Sequence, residues 1–257
     1  MSTKKFYTID SSGLLELRDL EREGKQFTFE KYVNGEFDSY NYQWNENFTN
    51  YVYDDIGCDY ERYDCYIKEG DVVLDLGANI GIFAHRAEQR AASKVICFEP
   101  MSDTFNCLVR NLGSKSIAYK NAVGAKNGIE TFTIHTSYSN TGGATTLKQD
   151  KLMNTHDEIH SEKVFVVGIN DIFEAYENNI DFMKIDIEGG EVEVLTAISD
   201  ENLSSLRCLA AEFHKTYDEF DVFQSEFIER MDGLGFKSFT LFHADGNLRT
   251  VTFSKIN

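Results

Sequence analysis

Short apolar runs alternate along the chain with stretches of helical spacing. The clearest run, Val72-Val73-Leu74-Asp75-Leu76, is nearly continuous, as in a strand buried on both faces of a parallel sheet. It is followed by Gly77, which permits a tight bend, and by Gly81, which lets the helix predicted over 82–92 pack close to the strand. Further strands are predicted over 94–99, 117–121, 181–187 and 206–213, and helices over 101–112, 170–176, 188–198 and 217–234. Residues 128–135 alternate as an extra strand and 165–167 are strand-like, while 136–163 read as a loop and a candidate substrate flap. The runs 236–242 and 248–256 flank Asp245-Gly246 as a closing hairpin. Repeated β–α alternation ending in an antiparallel pair predicts a doubly wound, mostly parallel α/β sheet with a reversed edge.

The first part of the chain differs. Residues 1–25 are polar apart from Leu14, Leu15, Leu17 and Leu20, enough for an amphipathic turn or two. Phe27, Phe29 and Tyr32 precede Asn34-Gly35, and Phe37, Tyr40 and Tyr42 follow it, a hairpin pattern. Aromatic residues continue over 44–67, predicted as helical segments leading into the first core strand. We divide the chain into an extension, 1–57, suited to a lid or acceptor region, and a main domain, 58–257.

A strand, a glycine bend and a helix start make a nucleotide site, with backbone N–H groups facing the ligand. A dinucleotide fingerprint needs glycines at 77, 79 and 82, but the chain has Gly77, Asn79 and Ile82. A side chain at 79 obstructs a pyrophosphate, and Asp75 at the strand end favours a ligand carrying a cation. S-adenosylmethionine, with an ammonium, a sulfonium and no phosphate, meets both conditions. Glu99, 22 residues after Gly77, is placed to accept hydrogen bonds from both ribose hydroxyls.

Charge and cysteines narrow the partners. The 257 residues carry 25 Lys+Arg against 43 Asp+Glu, a net charge of −18 that disfavours nucleic acid and anionic membrane surfaces. Five cysteines without a Cys-x-x-Cys pair read as thiols in a reducing compartment, and no run reaches the roughly 18 apolar residues of a membrane span. The expected location is cytoplasmic, and a homo-oligomer stays open.

The blocks Leu74-Asp75-Leu76-Gly77-Ala78-Asn79-Ile80-Gly81, Phe98-Glu99-Pro100 and Lys184-Ile185-Asp186-Ile187-Glu188-Gly189-Gly190-Glu191 together resemble the FkbM-type S-adenosylmethionine-dependent methyltransferases. The likeness runs over about 58–256, with Gly190 where the family usually has alanine. It implies a class I methyltransferase fold with a seven-stranded sheet. It also implies O-methylation of hydroxyls on sugars or polyketide-type metabolites, with S-adenosylhomocysteine as product. On this chain it implies that Asp75, Gly77, Asn79 and Gly81 hold the amino-acid end of the cofactor and Glu99 its ribose. Met101, Asn121 and Ala122 would surround the adenine.

An alcohol needs a base, worth roughly 10² to 10⁴ in rate. Asp186 and Glu188 end the fourth core strand, and Glu212 and His214 end the fifth. Asp186 is the expected neighbour of the acceptor, and His214 the best base by its ordinary pKa. Glu188 is the third candidate, its alternative role being to cap the next helix. A divalent cation held by these groups is a minority alternative, while the spacing of His156 and His160 reads as solvated loop. The expected acceptor is a carbohydrate hydroxyl, on a nucleotide-linked sugar or a glycan precursor. The competing readings are another small metabolite, a nicotinamide oxidoreductase and a non-catalytic binding protein.

Overall fold

The computed structural model describes residues 4–9, 15–20, 60–79, 81–135, 159–214, 220–242 and 248–256. The strands are β1 (Lys4–Ile9), β2 (Leu15–Leu20), β3 (Val72–Leu76), β4 (Lys94–Phe98), β5 (Ser116–Tyr119), β6 (Ala122–Gly124), β7 (Gly128–His135), β8 (Ile159–Gly168), β9 (Phe182–Ile185), β10 (Cys208–His214), β11 (Phe236–Phe242) and β12 (Leu248–Lys255). The helices are α1 (Ile82–Gln89), α2 (Ser102–Asn111), α3 (Ile169–Ala175), α4 (Glu191–Ala197), α5 (Asp200–Ser205) and α6 (Phe220–Gly233).

The main sheet runs β11-β12-β10-β9-β3-β4-β5, with β1 and β2 added beyond β5. Strands β5, β4, β3, β9 and β10 pair in parallel, and β12 is antiparallel to both β10 and β11. This is the seven-stranded, reversed-edge arrangement that the resemblance implies. The pleat explains why the strands read as continuous apolar runs: alternate residues are buried on opposite faces. Val73, Val95, Cys97, Phe182 and Ala210 pack with Phe83 and Ala87 of α1, Leu108 of α2 and Leu112 just after it. Leu74, Ile96, Met183, Ile185 and Leu209 pack with Phe173, Val194, Leu195, Phe227 and Met231 of α3, α4 and α6.

Several expectations are corrected. Residues 4–9 and 15–20 are paired strands, not amphipathic turns, and β1 meets β5 at Phe6 and Ala118. Residues 60–71 contain turns and irregular chain rather than helix. The loop expected over 136–163 gives way at Ile159 to β8, which pairs with β6 and β7 in a second, three-stranded sheet. His160 therefore stands on a strand, and the helical spacing considered for it does not apply. The hairpin predicted at Asn34-Gly35, His156 and the rest of the candidate flap lie outside the described residues.

Candidate active site

A cavity of about 340 Å³ lies where β3, β4, β5 and β9 end, at the point between β3 and β9 where the strand order reverses. Gly77, Asn79, Glu99, Met101, Asn121, Ala122, Asp186 and Glu188 all line it. Three of the residues expected at the site, Asp75, Gly81 and His214, are not among its lining.

The bend is built on close approach. Gly77 has φ +75°, and a Cβ there would fall 1.7 Å from the Asp186 carbonyl oxygen, so only glycine lets β3 and β9 end this close together. Asp186 N–H donates to Leu76 O at 3.1 Å, fixing the same junction. Asn79 takes a left-handed φ of 48°, which asparagine tolerates better than most residues. Gly81, at φ +93°, precedes α1, and a Cβ there would fall 2.9 Å from Leu108 Cδ1 of α2.

Glu99 accepts the N–H of Asn79 at 3.0 Å and that of Met101 at 2.9 Å, one at each carboxylate oxygen. Burial raises its pKa to about 7, opposed by those two donors. Asn121 donates from its amide to Phe165 O at 3.3 Å, tying the end of β5 to β8.

Asp75 sits differently from expectation. Its carboxylate is fully buried on the face of the sheet beneath α1, 3.3 Å from Lys184 Nζ. Lys184 was missed in the sequence, where the sole signal was a lysine inside an otherwise apolar strand. Its ammonium donates to Gly77 O at 2.7 Å and lies 3.5 Å from Asp186. Burial would lower its pKa, but Asp75, Asp186 and Glu212 outweigh that and raise it. Burial likewise raises Asp75, with Lys184 opposing.

Carboxylates crowd the ends of β9 and β10. The hydroxyl of Tyr60, a second residue the sequence reading missed, lies 3.0 Å from Asp186 and 2.6 Å from Glu212. Burial and these two acids raise the phenol pKa well above its ordinary value. Burial and the charge of Asp186 raise Glu212 to about 7. The helix-capping role considered for Glu188 is not taken up: Gly190 is the N-cap of α4 and no side chain caps it, while the Glu191 carboxylate accepts the N–H groups of Ile187 and Gly189 in the turn before the helix. Glu188, with a left-handed φ of 56°, pairs with His214 Nε2 at 3.3 Å, and burial raises it to about 7.

His214 is not the neutral base its ordinary pKa suggested. Burial would lower its pKa, but the hydrogen bond and charge of Glu191, with Glu188 and Asp186, raise it to about 10. At neutral pH it is an imidazolium bound between carboxylates. Asp186, Glu191 and His214 offer ligand atoms within 4.8 Å of one another, but Glu191 is occupied by two backbone donors and the imidazolium. We assign no metal to the cluster.

Residues 75–238, well over half of the chain, match the model of the methyltransferase FkbM domain. The chain belongs to the FkbM methyltransferase family. Among relatives of this FkbM member, the AMB antimetabolite synthetase AmbE of Pseudomonas aeruginosa is 28% identical over 68% of this chain, a match covering 10% of the synthetase. Methyltransferase 1 of Beauveria bassiana is 24% identical over 54% of this chain and 64% of its own length. The chain thus spans less than two thirds of either relative. The crystal structure of an FkbM methyltransferase from Methylobacillus flagellatus is 16% identical, covers 80% of this chain and 47% of that one, and superposes with a TM-score of 0.47. No helix among the described residues is long and apolar enough to cross a membrane.

Proposed function

We propose that this FkbM member is an S-adenosylmethionine-dependent O-methyltransferase acting on a hydroxyl of a carbohydrate, on a nucleotide-linked sugar or glycan precursor. The observation that carries the reading is the placement of Asp186 in the wall of the cavity, directly against the Gly77 bend. A base there meets an acceptor beside the expected cofactor site.

The residues fit that cofactor. The cavity is of small-molecule size, above the roughly 300 Å³ at which such sites begin. Each Glu99 oxygen accepts one backbone N–H and keeps a lone pair for a ribose hydroxyl. Gly77 and Asn79 would hold the amino-acid end, and Met101, Asn121 and Ala122 the adenine. When bound, S-adenosylmethionine supplies an electrophilic methyl group to the acceptor oxygen and leaves the hydroxyl proton to the protein. Asp186 orients that hydroxyl and takes the proton. A polyhydroxylated acceptor suits a wall that also offers Lys126, Asn127, Glu130 and Glu193. Residues 58–257 would form the catalytic domain, with 1–57 serving as a lid or acceptor region.

A second reading, a hydroxyl on another small metabolite, is favoured by one relative being an antimetabolite synthetase. A turnover screen with labelled methyl donor across nucleotide sugars and hydroxylated metabolites decides between them. Calorimetry should show binding of S-adenosylmethionine and not of NAD. Asp186→Asn should lower turnover by roughly 10² or more while keeping cofactor affinity. Methylation of nitrogen alone overturns the hydroxyl assignment, and unchanged turnover in Asp186→Asn removes Asp186 as the base.

A further inference from the structure

The proton that Asp186 takes must leave before the next turnover. One hydroxyl stands between Asp186 Oδ2, 3.0 Å away, and Glu212 Oε2, 2.6 Å away, and it belongs to Tyr60. A phenol carries one proton and donates to one carboxylate at a time, so this bridge has two settings. Asp186 lines the cavity, whereas Tyr60 and Glu212 are not among its lining residues. Glu212 keeps 17% of its side chain exposed to solvent.

We propose that Tyr60 relays the proton from Asp186 to Glu212, which discharges it to water. The inference rests on the O-methylation reading. The cycle starts from the form in which both acids are carboxylates and Tyr60 donates to Glu212, its nearer neighbour. As the O–CH₃ bond forms, the acceptor hydroxyl gives its proton to Asp186. The Asp186 proton then passes to Tyr60 Oη while the phenol's own proton passes to Glu212 Oε2. Asp186 is again ionised, Tyr60 is again a phenol, now donating to Asp186, and Glu212 holds the extra proton.

The phenol is held for this task. Its ring meets Phe83 edge-on at 5.6 Å and lies under Lys184 Nζ at 5.4 Å. The next residue, Glu61, is fixed by Arg86 and by Ile67 N–H. The groups facing Glu212 are Asp186 just beyond β9, Glu188 in the turn before α4, Tyr60, Lys184, and His214 of its own strand at 3.8 Å. Burial and Asp186 push Glu212 up, and Tyr60, His214 and Lys184 push it down, to about 7. An acid near neutrality both receives and releases a proton readily.

The test compares Tyr60→Phe, which keeps the ring, with Glu212→Gln and the double variant. Turnover should fall by roughly 10² in each with cofactor affinity unchanged, and the double variant should be no worse than the weaker single. Losses that multiply instead mark two independent packing defects and overturn the relay. The acid limb of wild-type activity near pH 7 should vanish in Glu212→Gln. A readout free of turnover is the infrared band of protonated carboxyl groups between pH 6 and 8. Glu212→Gln should delete one component and Tyr60→Phe should displace that same component. Full turnover of Tyr60→Phe on a methylated hydroxyl overturns the relay and leaves O-methylation standing. No hydroxyl methylated by the wild type, with the infrared component still responding to Tyr60, overturns the O-methylation reading and the step that loads the relay.

Discussion

Lys184 Nζ lies 3.3 Å from Asp75 Oδ1, with 4% and 0% of the two side chains exposed. The ammonium also holds Gly77 O, so one cation joins the end of β3, the glycine bend and the end of β9. Among the described residues neither Asp75 oxygen has a hydrogen-bond partner apart from this cation, which leaves the ion pair as its compensation. Replacing Lys184 by Met strands a buried carboxylate, and we expect a loss of about 3–5 kcal/mol in urea unfolding. Asp75→Asn combined with Lys184→Met should recover much of that loss. A single-variant cost below about 1 kcal/mol would show the pair to be dispensable.

Gly77→Ala tests the bend itself. The left-handed backbone alone costs on the order of 1–3 kcal/mol for a residue with a side chain. The new Cβ would also meet the Asp186 carbonyl, which is backbone and has little room to move. The variant should melt lower, and whatever folds should bind S-adenosylmethionine more weakly because β9 has been pushed away. Calorimetric affinity equal to wild type would contradict this.

The order of the core strands could be read from the sequence because each is a buried run whose identity does not depend on its partners. What could not be read was made by distant residues meeting. Asp75 reads in the sequence as an acid facing the cofactor, and only the fold sets it instead beside Lys184, 109 positions away. Tyr60 was one aromatic among many, and its meeting with Glu212 spans 152 positions. Three-residue β6 and six-residue α5 are too short to show a period. Glu188 was the candidate cap of α4, but it takes a left-handed backbone and caps nothing, and Glu191 instead holds the N–H groups of Ile187 and Gly189 in the turn before the helix.

Glu99 should matter to cofactor binding through both of its oxygens. Glu99→Gln keeps one acceptor but turns an amide NH₂ towards either Asn79 N–H or Met101 N–H, opposing a donor with a donor. A buried bond to a charged acceptor is worth about 1.5–3 kcal/mol, so the dissociation constant should rise roughly 10- to 100-fold. Calorimetry measures it directly, and an unchanged constant would take the ribose away from Glu99.

His214 makes the pH dependence of stability predictable in sign. Its folded pKa of about 10 lies above its ordinary 6.5, so its contribution is complete below about pH 6.5 and is lost as pH rises through about 10. Glu188 and Glu212, raised to about 7 from 4.5, act in the same direction at lower pH, their contribution fading as pH climbs through 7. Urea midpoints of wild type and His214→Gln should therefore differ most near pH 6 and converge near pH 10. The same imidazolium is no base at neutral pH, so His214→Gln should lose less turnover than the roughly 10² expected of Asp186→Asn. A constant gap in midpoint across this range would mean that His214 is held by packing and not by its charge, and a turnover loss matching that of Asp186→Asn would return it to the catalytic candidates.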